Sequence, residues 1–174
     1  TTQILSENPN AQAAVVNAVM AVPLALKPDK MFFVRGTEAH VGQSASAEER
    51  IADGLSRDKR PVQRDPESKT ASWWHLRMEI QGRLLDVTHH GRTGQREHTR
   101  GGQAVLYAHD IMLAHAKQGD RWPDLCIRAH HHRSNDSHDA CPVRVITLGC
   151  WQMPTGYVKK IAADTLPDIG GLIV

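Results

Sequence analysis

Short apolar runs in the sequence predict the strands of a sheet. Their length and their polar or glycine borders are typical of strands buried within a fold. They cover residues 31–34, 125–129 and 143–148, with weaker candidates at residues 156–161 and 169–174. Residues 72–80 and 83–87 flank Gln81-Gly82. This spacing predicts a hairpin, because glycine supplies the positive φ that a two-residue turn requires.

Amphipathic stretches between these runs predict helices. They cover residues 11–22, 47–55 and 103–117. Asn10 is a candidate N-cap of the first helix, and Pro23 is expected to kink or end it. Ser46 and Glu49 resemble a capping box at the start of the second helix. Gly119 is placed to end the third. Helices interspersed with short strands predict an α/β fold.

Composition indicates one globular domain over residues 1–174, with 40% hydrophobic and 23% charged residues. The net charge of +2 is too small to indicate nucleic-acid binding by itself. No apolar run approaches the roughly 20 residues of a membrane span, and no secretory leader is recognisable. The three cysteines include no Cys-x-x-Cys pair, which disfavours a thiolate zinc site. Their odd number favours reduced thiols in a cytoplasm.

The 11 histidines recur at the ends of predicted strands. His40 follows residues 31–34, His89 and His90 follow residues 83–87, and a run of three follows residues 125–127. Loops at the carboxyl ends of strands commonly carry the ligand-binding side chains of α/β proteins. A single histidine is more often a surface residue, but shared placement at three strand ends favours a metal site.

The run of histidines at residues 130–132 has a spacing of its own. His130 and His132 face the same way if the backbone is extended, while His131 faces the other way. Two imidazoles on one side could then reach the same metal centre. Asp86 and Asp136 are candidates to orient a ligating imidazole. Arg92 and Arg128 lie near the histidines and could bind a phosphate group through two N–H donors.

The order Gly-x-x-x-His at residues 36–40, His-His-Gly at 89–91 and Ala-His-x-His at 129–132 resembles the last three motifs of calcineurin-like metallophosphoesterases. The likeness is greatest to phage-encoded members and covers most of the chain. It implies layered β-sheets flanked by helices. It also implies two divalent metal ions (Mn, Zn, Fe or Ni) that activate a water for attack on a phosphate ester.

The resemblance assigns roles to individual residues. His130 and His132 match the two metal ligands of the last motif. His89 or His90 matches the ligand of the middle motif, with His89 favoured. His40 matches the histidine that assists the leaving group. The family's asparagine ligand has no clear equivalent, so Glu38 or His40 is expected to replace it.

Two departures limit the comparison with the family. Its Asp-x-His and Gly-Asp-x-x-Asp motifs, which supply most ligands of one metal and the bridging carboxylate, do not occur ahead of Gly36. We expect them to precede Thr1, so that the fold is incomplete at the N-terminus. The expected protein is a phosphoesterase in the cytoplasm of a phage-infected or prophage-carrying bacterial cell, acting on a phosphate ester such as a nucleotide or nucleic acid. The alternative is a catalytically incomplete chain that binds a metal or a partner.

Overall fold

The computed structural model describes residues 9–37, 46–92, 99–151, 160 and 166–173. It has a mixed α/β architecture that divides into two compact units, Thr1–Trp74 and His75–Val174. The expected α/β class is therefore confirmed, while the single domain over residues 1–174 stays a prediction. Among the described residues, no helix combines the length and the apolar character that crossing a bilayer requires.

Within its described residues, 9–37 and 46–74, the first unit has three helices and a pair of short parallel strands. In chain order these elements are α1 (Pro9–Val19), α2 (Ala21–Ala25), β1 (Phe33–Val34), α3 (Ser46–Arg57) and β2 (Ser72–Trp73). Buried Met31, Ala52, Leu55 and Ala71 lie in this unit. Of the predicted strand at residues 31–34, Phe33 and Val34 form β1, and Met31 makes an isolated bridge to Val62.

Pro23 explains why the first predicted helix is interrupted. Proline has no N–H to donate to the carbonyl of Val19, four residues earlier, and α1 ends at Val19. The chain starts a new short helix at Ala21, in which Pro23 occupies the first turn and needs no N–H partner. The first helix therefore ends four residues before Pro23, where the sequence placed the kink or end.

Glu49 joins α3 to β2, while the capping box predicted for Ser46 and Glu49 depends on the Ser46 side chain, which lies outside the described residues. Its carboxylate accepts hydrogen bonds from Ala71 N at 2.8 Å, Ser72 N at 2.8 Å and Ser72 Oγ at 2.5 Å. Burial acts to raise the pKa of Glu49, but these hydrogen bonds and the Arg35 guanidinium lower it overall. This carboxylate therefore satisfies the buried N–H groups at the start of β2.

The second unit is built on a five-stranded mixed sheet. Its strands are β3 (His75–Ile80), β4 (Arg83–Thr88), β5 (Leu125–Arg128), β6 (Asn135–Asp136) and β7 (Arg144–Thr147), in the order β3-β4-β5-β7-β6. β4, β5 and β7 are parallel, and the two outer strands are antiparallel to their neighbours. The predicted hairpin between β3 and β4 is confirmed, with φ of 51° at Gln81 and 79° at Gly82.

One long helix, α4 (Arg100–Gln118), connects β4 to β5. Gly119 ends it in the left-handed conformation with φ of 71°, as predicted. The buried core of this unit combines one helical residue with residues on or next to β5 and β7: Ala108, Cys126, Val143 and Val145. Burial raises the pKa of the Cys126 thiol to about 11, so this cysteine is protonated at neutral pH.

The predicted strands near the C-terminus have a different outcome. Residues 156–159 and 161 lie outside the described residues. Ile169 makes an isolated bridge to Cys150 and not a regular strand. Asp168 anchors this segment because its N–H donates to the carbonyl of His132 and its own carbonyl accepts from Cys150 N–H, at 2.9 and 2.8 Å.

Asp124 supports the first prediction on stability. Its carboxylate accepts hydrogen bonds from Leu84 N at 2.8 Å and from the guanidinium of Arg83 at 2.9 Å. The Leu84 bond, followed by the Arg83 bond, lowers the pKa of Asp124 to about 2. A lowered pKa stabilises the folded state above the ordinary aspartate value of 3.8, and this contribution is lost as the pH falls towards 2.

We expect Asp124→Asn to lower the free energy of unfolding by about 1–2 kcal/mol at pH 7, since about 1.4 kcal/mol corresponds to one pKa unit. Urea denaturation at several pH values measures the effect. The gap between variant and wild type should narrow between pH 4 and pH 2, where the wild-type carboxylate takes up its proton. Asp120→Asn, an exposed site on the same loop, is the control. A gap that stays constant over this range would show that charge is not the cause.

Candidate metal centre

Two neighbouring parallel strands end at the same edge of the five-stranded sheet. β4 ends at Thr88 and β5 ends at Arg128, and these two residues are register partners. The pairing continues one step further, because Ala129 N–H donates to the carbonyl of His89 at 2.9 Å. The histidines that follow the two strands therefore enter the same region, as their placement at strand ends predicted.

Three imidazoles form a histidine cluster, consisting of His89, His90 and His130. One ring nitrogen from each residue lies within 4.8 Å of the other two. His89 Nε2 and His130 Nδ1 are 3.2 Å apart. This is close to the separation of about 3.3 Å expected for two nitrogens bound to tetrahedral zinc at about 2.0–2.1 Å. The histidine cluster can therefore hold a metal ion.

The composition and exposure of the cluster indicate which ion fits. His89 and His130 are half-buried and His90 is exposed. Within the described residues, the grouped ligands are imidazoles without a carboxylate or thiolate. Imidazole suits zinc, copper, iron and nickel, whereas magnesium and calcium prefer oxygen ligands. With three protein ligands, a bound ion would keep a coordination position for water, as in catalytic zinc sites.

The loop after β5 turns sharply to bring the His130 ring towards the loop after β4. His130 has a φ of 73°, in the left-handed region where histidine is one of the more tolerated residues. The neighbouring His131 donates from Nε2 to the carbonyl of Gly91 at 2.8 Å. This bond ties the two loops together beside the histidine cluster.

A buried ion pair joins β4 and β5, the two strands that precede the clustered histidines. Arg128 Nη2 is 2.7 Å from Asp86 Oδ1, and Arg128 Nη1 donates to the Asp86 carbonyl at 2.9 Å. Both residues are largely shielded from solvent, with relative exposures of 6% and 4%. Burial acts to raise the pKa of Asp86, but a hydrogen bond from His75 and the charge of Arg128 lower it overall. The carboxylate therefore stays ionised beside its guanidinium partner.

Gly91 allows the two loops to approach closely. A Cβ atom at this position would lie 2.6 Å from Cβ and 2.8 Å from Cγ of Arg128, closer than side chains tolerate. The glycine of the His-His-Gly motif is thus required by contact with the strand that precedes His130. The contact explains why the motif ends in glycine without invoking a special backbone angle.

The other predicted ligands are not part of the histidine cluster as the described residues show it. His132 is not among the three clustered imidazoles, and its carbonyl accepts a hydrogen bond from Asp168 N–H at 2.9 Å. Glu38 and His40, predicted as a ligand and a catalytic residue, fall outside the described residues. Their roles stay predictions.

The two arginines predicted to bind substrate occupy different environments. Arg92 is exposed and forms an ion pair with Asp110 of α4. Arg128 is buried, and its guanidinium is engaged by Asp86 and by the hydroxyl of Tyr107, to which Nε donates at 3.3 Å. Of the two, only Arg92 faces solvent where it could meet a phosphate group.

The two aspartates considered as partners of a ligating imidazole are differently engaged. Asp86 binds His75 Nε2 at 2.7 Å and Arg128, neither of which belongs to the histidine cluster. Asp136 binds Arg144 at 2.6 Å and lies 3.6 Å from His138 Nδ1. Closeness in sequence to the clustered histidines did not predict contact with them. Successive side chains of a strand point to opposite faces of the sheet, so neighbours in sequence need not meet in space.

Sequence reasoning missed His75 and Tyr107 as contacts of the ion pair. His75 pairs with Thr88 in the β3–β4 hairpin. The next pair on the same face of the hairpin is Arg77 with Asp86, which brings His75 and Asp86 close together. The predicted hairpin register contained this information, since residues two apart on a strand share a face. Tyr107 could be found only by docking α4 onto the sheet.

No protein-family model, curated protein or solved structure matches this chain. The interpretation of the site therefore depends on its geometry and on the spacing of its motifs.

Proposed function

We propose that the histidine cluster binds a divalent transition-metal ion and that the protein is a metal-dependent phosphoesterase. The observation that carries this proposal is the convergence of three imidazole nitrogens from the ends of two adjacent parallel strands, within 4.8 Å of one another. The order of the histidine motifs supports phosphate esters as the substrate, through the resemblance to calcineurin-like metallophosphoesterases.

The residues of this chain would contribute ligands and orientation. His89, His90 and His130 bind through neutral ring nitrogens, so their affinity rises with pH as protons are released. An ion held there would supply Lewis acidity and would lower the pKa of a bound water, the chemistry that phosphate-ester hydrolysis needs. Arg92, exposed near the cluster in sequence, is the available donor to a non-bridging phosphate oxygen.

The second ion of the predicted pair requires ligands beyond the three clustered imidazoles. Glu38 is proposed as one such ligand, and His40 is proposed to assist the leaving group. Without the bridging carboxylate motifs, residues 1–174 are expected to hold one ion tightly. Layered sheets of the metallophosphoesterase type belong to the same proposal.

Isothermal titration with zinc and with manganese tests the metal site. We expect one tight site per chain, and we expect zinc to bind more tightly because the three ligands are imidazoles. His90→Ala should weaken binding, while His109→Ala, an exposed histidine on α4, should not. Two tight sites on this chain would show that the ligands are misassigned, and no binding would remove the proposal.

Hydrolysis of bis(4-nitrophenyl) phosphate tests the chemistry separately. We expect turnover that requires added metal and is abolished by EDTA. Tight metal binding without turnover would favour the alternative, a catalytically incomplete chain that binds metal or a partner. A chain extended by an upstream segment with the two aspartate motifs should then recover activity if the family assignment is correct.

A further inference from the structure

Arg128 lies on β5, the strand that precedes His130. It contacts residues both before and after the pair His89–His90 in the neighbouring loop. Its guanidinium binds the carbonyl and carboxylate of Asp86, ahead of that loop. Its Cβ and Cγ pack against Gly91, directly after the two histidines. One side chain thus fixes the entrance and the exit of the loop that supplies two of the three clustered imidazoles.

The arginine is itself held from several directions. Its Nη1 also donates to the carbonyl of Ile127 at 3.0 Å, and its own carbonyl accepts Leu148 N–H at 2.7 Å. Tyr107 of α4 accepts from Nε, and the guanidinium carbon lies 5.9 Å from the Tyr107 ring centroid. Because this side chain is bound to β4, β5 and α4, it can hold the loops at the sheet edge in fixed positions.

We propose that Arg128 is a positioning residue of the metal centre: it holds the His89–His90 loop against the His130 loop so that the imidazoles are arranged before metal binds. The proposal rests on the proposed metal site. It replaces the substrate-binding role predicted for Arg128, because a guanidinium with these partners at 6% exposure is committed to the protein interior.

The decisive variant is the double substitution Asp86→Leu with Arg128→Met. It removes both charges together and leaves neither buried without a partner, so the fold should persist. We expect the dissociation constant for zinc to rise by about 10–100-fold, the range for residues that orient metal ligands. A value within about threefold of wild type, in a folded protein, would overturn the proposal. Arg144→Met, which breaks an exposed ion pair on the neighbouring strand, is the matched control.

Two further variants keep the test decisive if the double variant does not fold. Gly91→Ala forces the loop away from Arg128, whereas Gly101→Ala adds a methyl group in open space. Gly91→Ala should weaken zinc binding and Gly101→Ala should not. Arg128→Lys retains the charge and the aliphatic stem, so it should lose less zinc affinity than the double variant. Equal zinc affinity in Gly91→Ala and Gly101→Ala would count against the proposal.

Metal-free protein separates this proposal from the proposed function. Long-range ¹H–¹⁵N NMR spectra report the ring nitrogens of each histidine without any ion. We expect the His89 and His130 signals to shift in the double variant, while the His109 signals stay in place. If the wild-type chain binds no zinc, the proposed function fails, but these spectra still decide whether Arg128 positions the imidazoles. Unchanged His89 and His130 signals would refute it.

Discussion

Replacing Arg128 with methionine alone is expected to lower the free energy of unfolding by about 3–5 kcal/mol, the usual cost of leaving one partner of a buried ion pair uncompensated. Asp86 would keep its hydrogen bond to His75 but lose the charge 2.7 Å away and the donor to its carbonyl. Its carboxylate would then lie at the sheet interior without a cation beside it. Urea denaturation at pH 7, monitored by circular dichroism, measures the loss.

The double variant distinguishes the cost of an unpaired charge from the cost of lost hydrogen bonds. Asp86→Leu combined with Arg128→Met should recover most of the stability that Arg128→Met loses, because apolar residues of similar volume can replace a buried pair. Arg144→Met should shift the unfolding midpoint much less, since Arg144 and Asp136 are accessible to solvent. If the double variant is as unstable as the single one, the loss would stem from the hydrogen bonds that the guanidinium donates to Tyr107 and to the carbonyls of Asp86 and Ile127.

The convergence of the two histidine loops could be predicted because it follows from backbone rules. β4 and β5 are joined by a helix, and strands connected in this way are usually parallel and end at one edge of the sheet. The register Thr88–Arg128 then places residue 89 beside residue 129. The turn at Gln81-Gly82 was equally predictable, because glycine tolerates its positive φ.

Spacing alone could not predict that, of the histidines at residues 130–132, His130 joins the histidine cluster and His132 does not. The expectation that His130 and His132 face the same way assumed an extended backbone. Both residues instead have positive φ, 73° and 57°, which destroys the alternation of side chains along the chain. Such a turn depends on the tertiary bonds that hold it, here from His131 to Gly91 and from Asp168 to His132.

The role of Arg128 was hidden for a related reason. Because arginine is usually exposed, an arginine next to a candidate ligand is readily interpreted as a substrate contact. Its partner Asp86 is 42 residues earlier in the chain. The β4–β5 register puts Asp86 opposite Cys126, two residues from Arg128 on the same face of the sheet. Only the pairing of the two strands reveals that the arginine has a buried carboxylate within reach.

The largest effect on metal binding is expected from His130→Asn, which should raise the dissociation constant for zinc by at least about 100-fold, equivalent to about 2.7 kcal/mol of binding free energy. Asparagine is the suitable replacement because it tolerates the left-handed backbone that His130 adopts, so the loop should keep its shape. The variant removes the ring nitrogen that lies 3.2 Å from His89 Nε2. Competition titration with a chromophoric chelator measures constants in this range.

His132→Asn separates the observed geometry from the assignment that the family resemblance implies. The resemblance makes His130 and His132 equivalent ligands, so both variants should then lose zinc to a similar degree. The geometry groups His130 with His89 and His90, so His132→Asn should retain affinity within about threefold of wild type. His132 also has a positive φ, which makes the two substitutions equally compatible with the backbone. Equal losses would mean that metal binding changes the loop after β5 so that His130 and His132 both coordinate the ion. The histidine cluster would then be the arrangement that these loops adopt without metal.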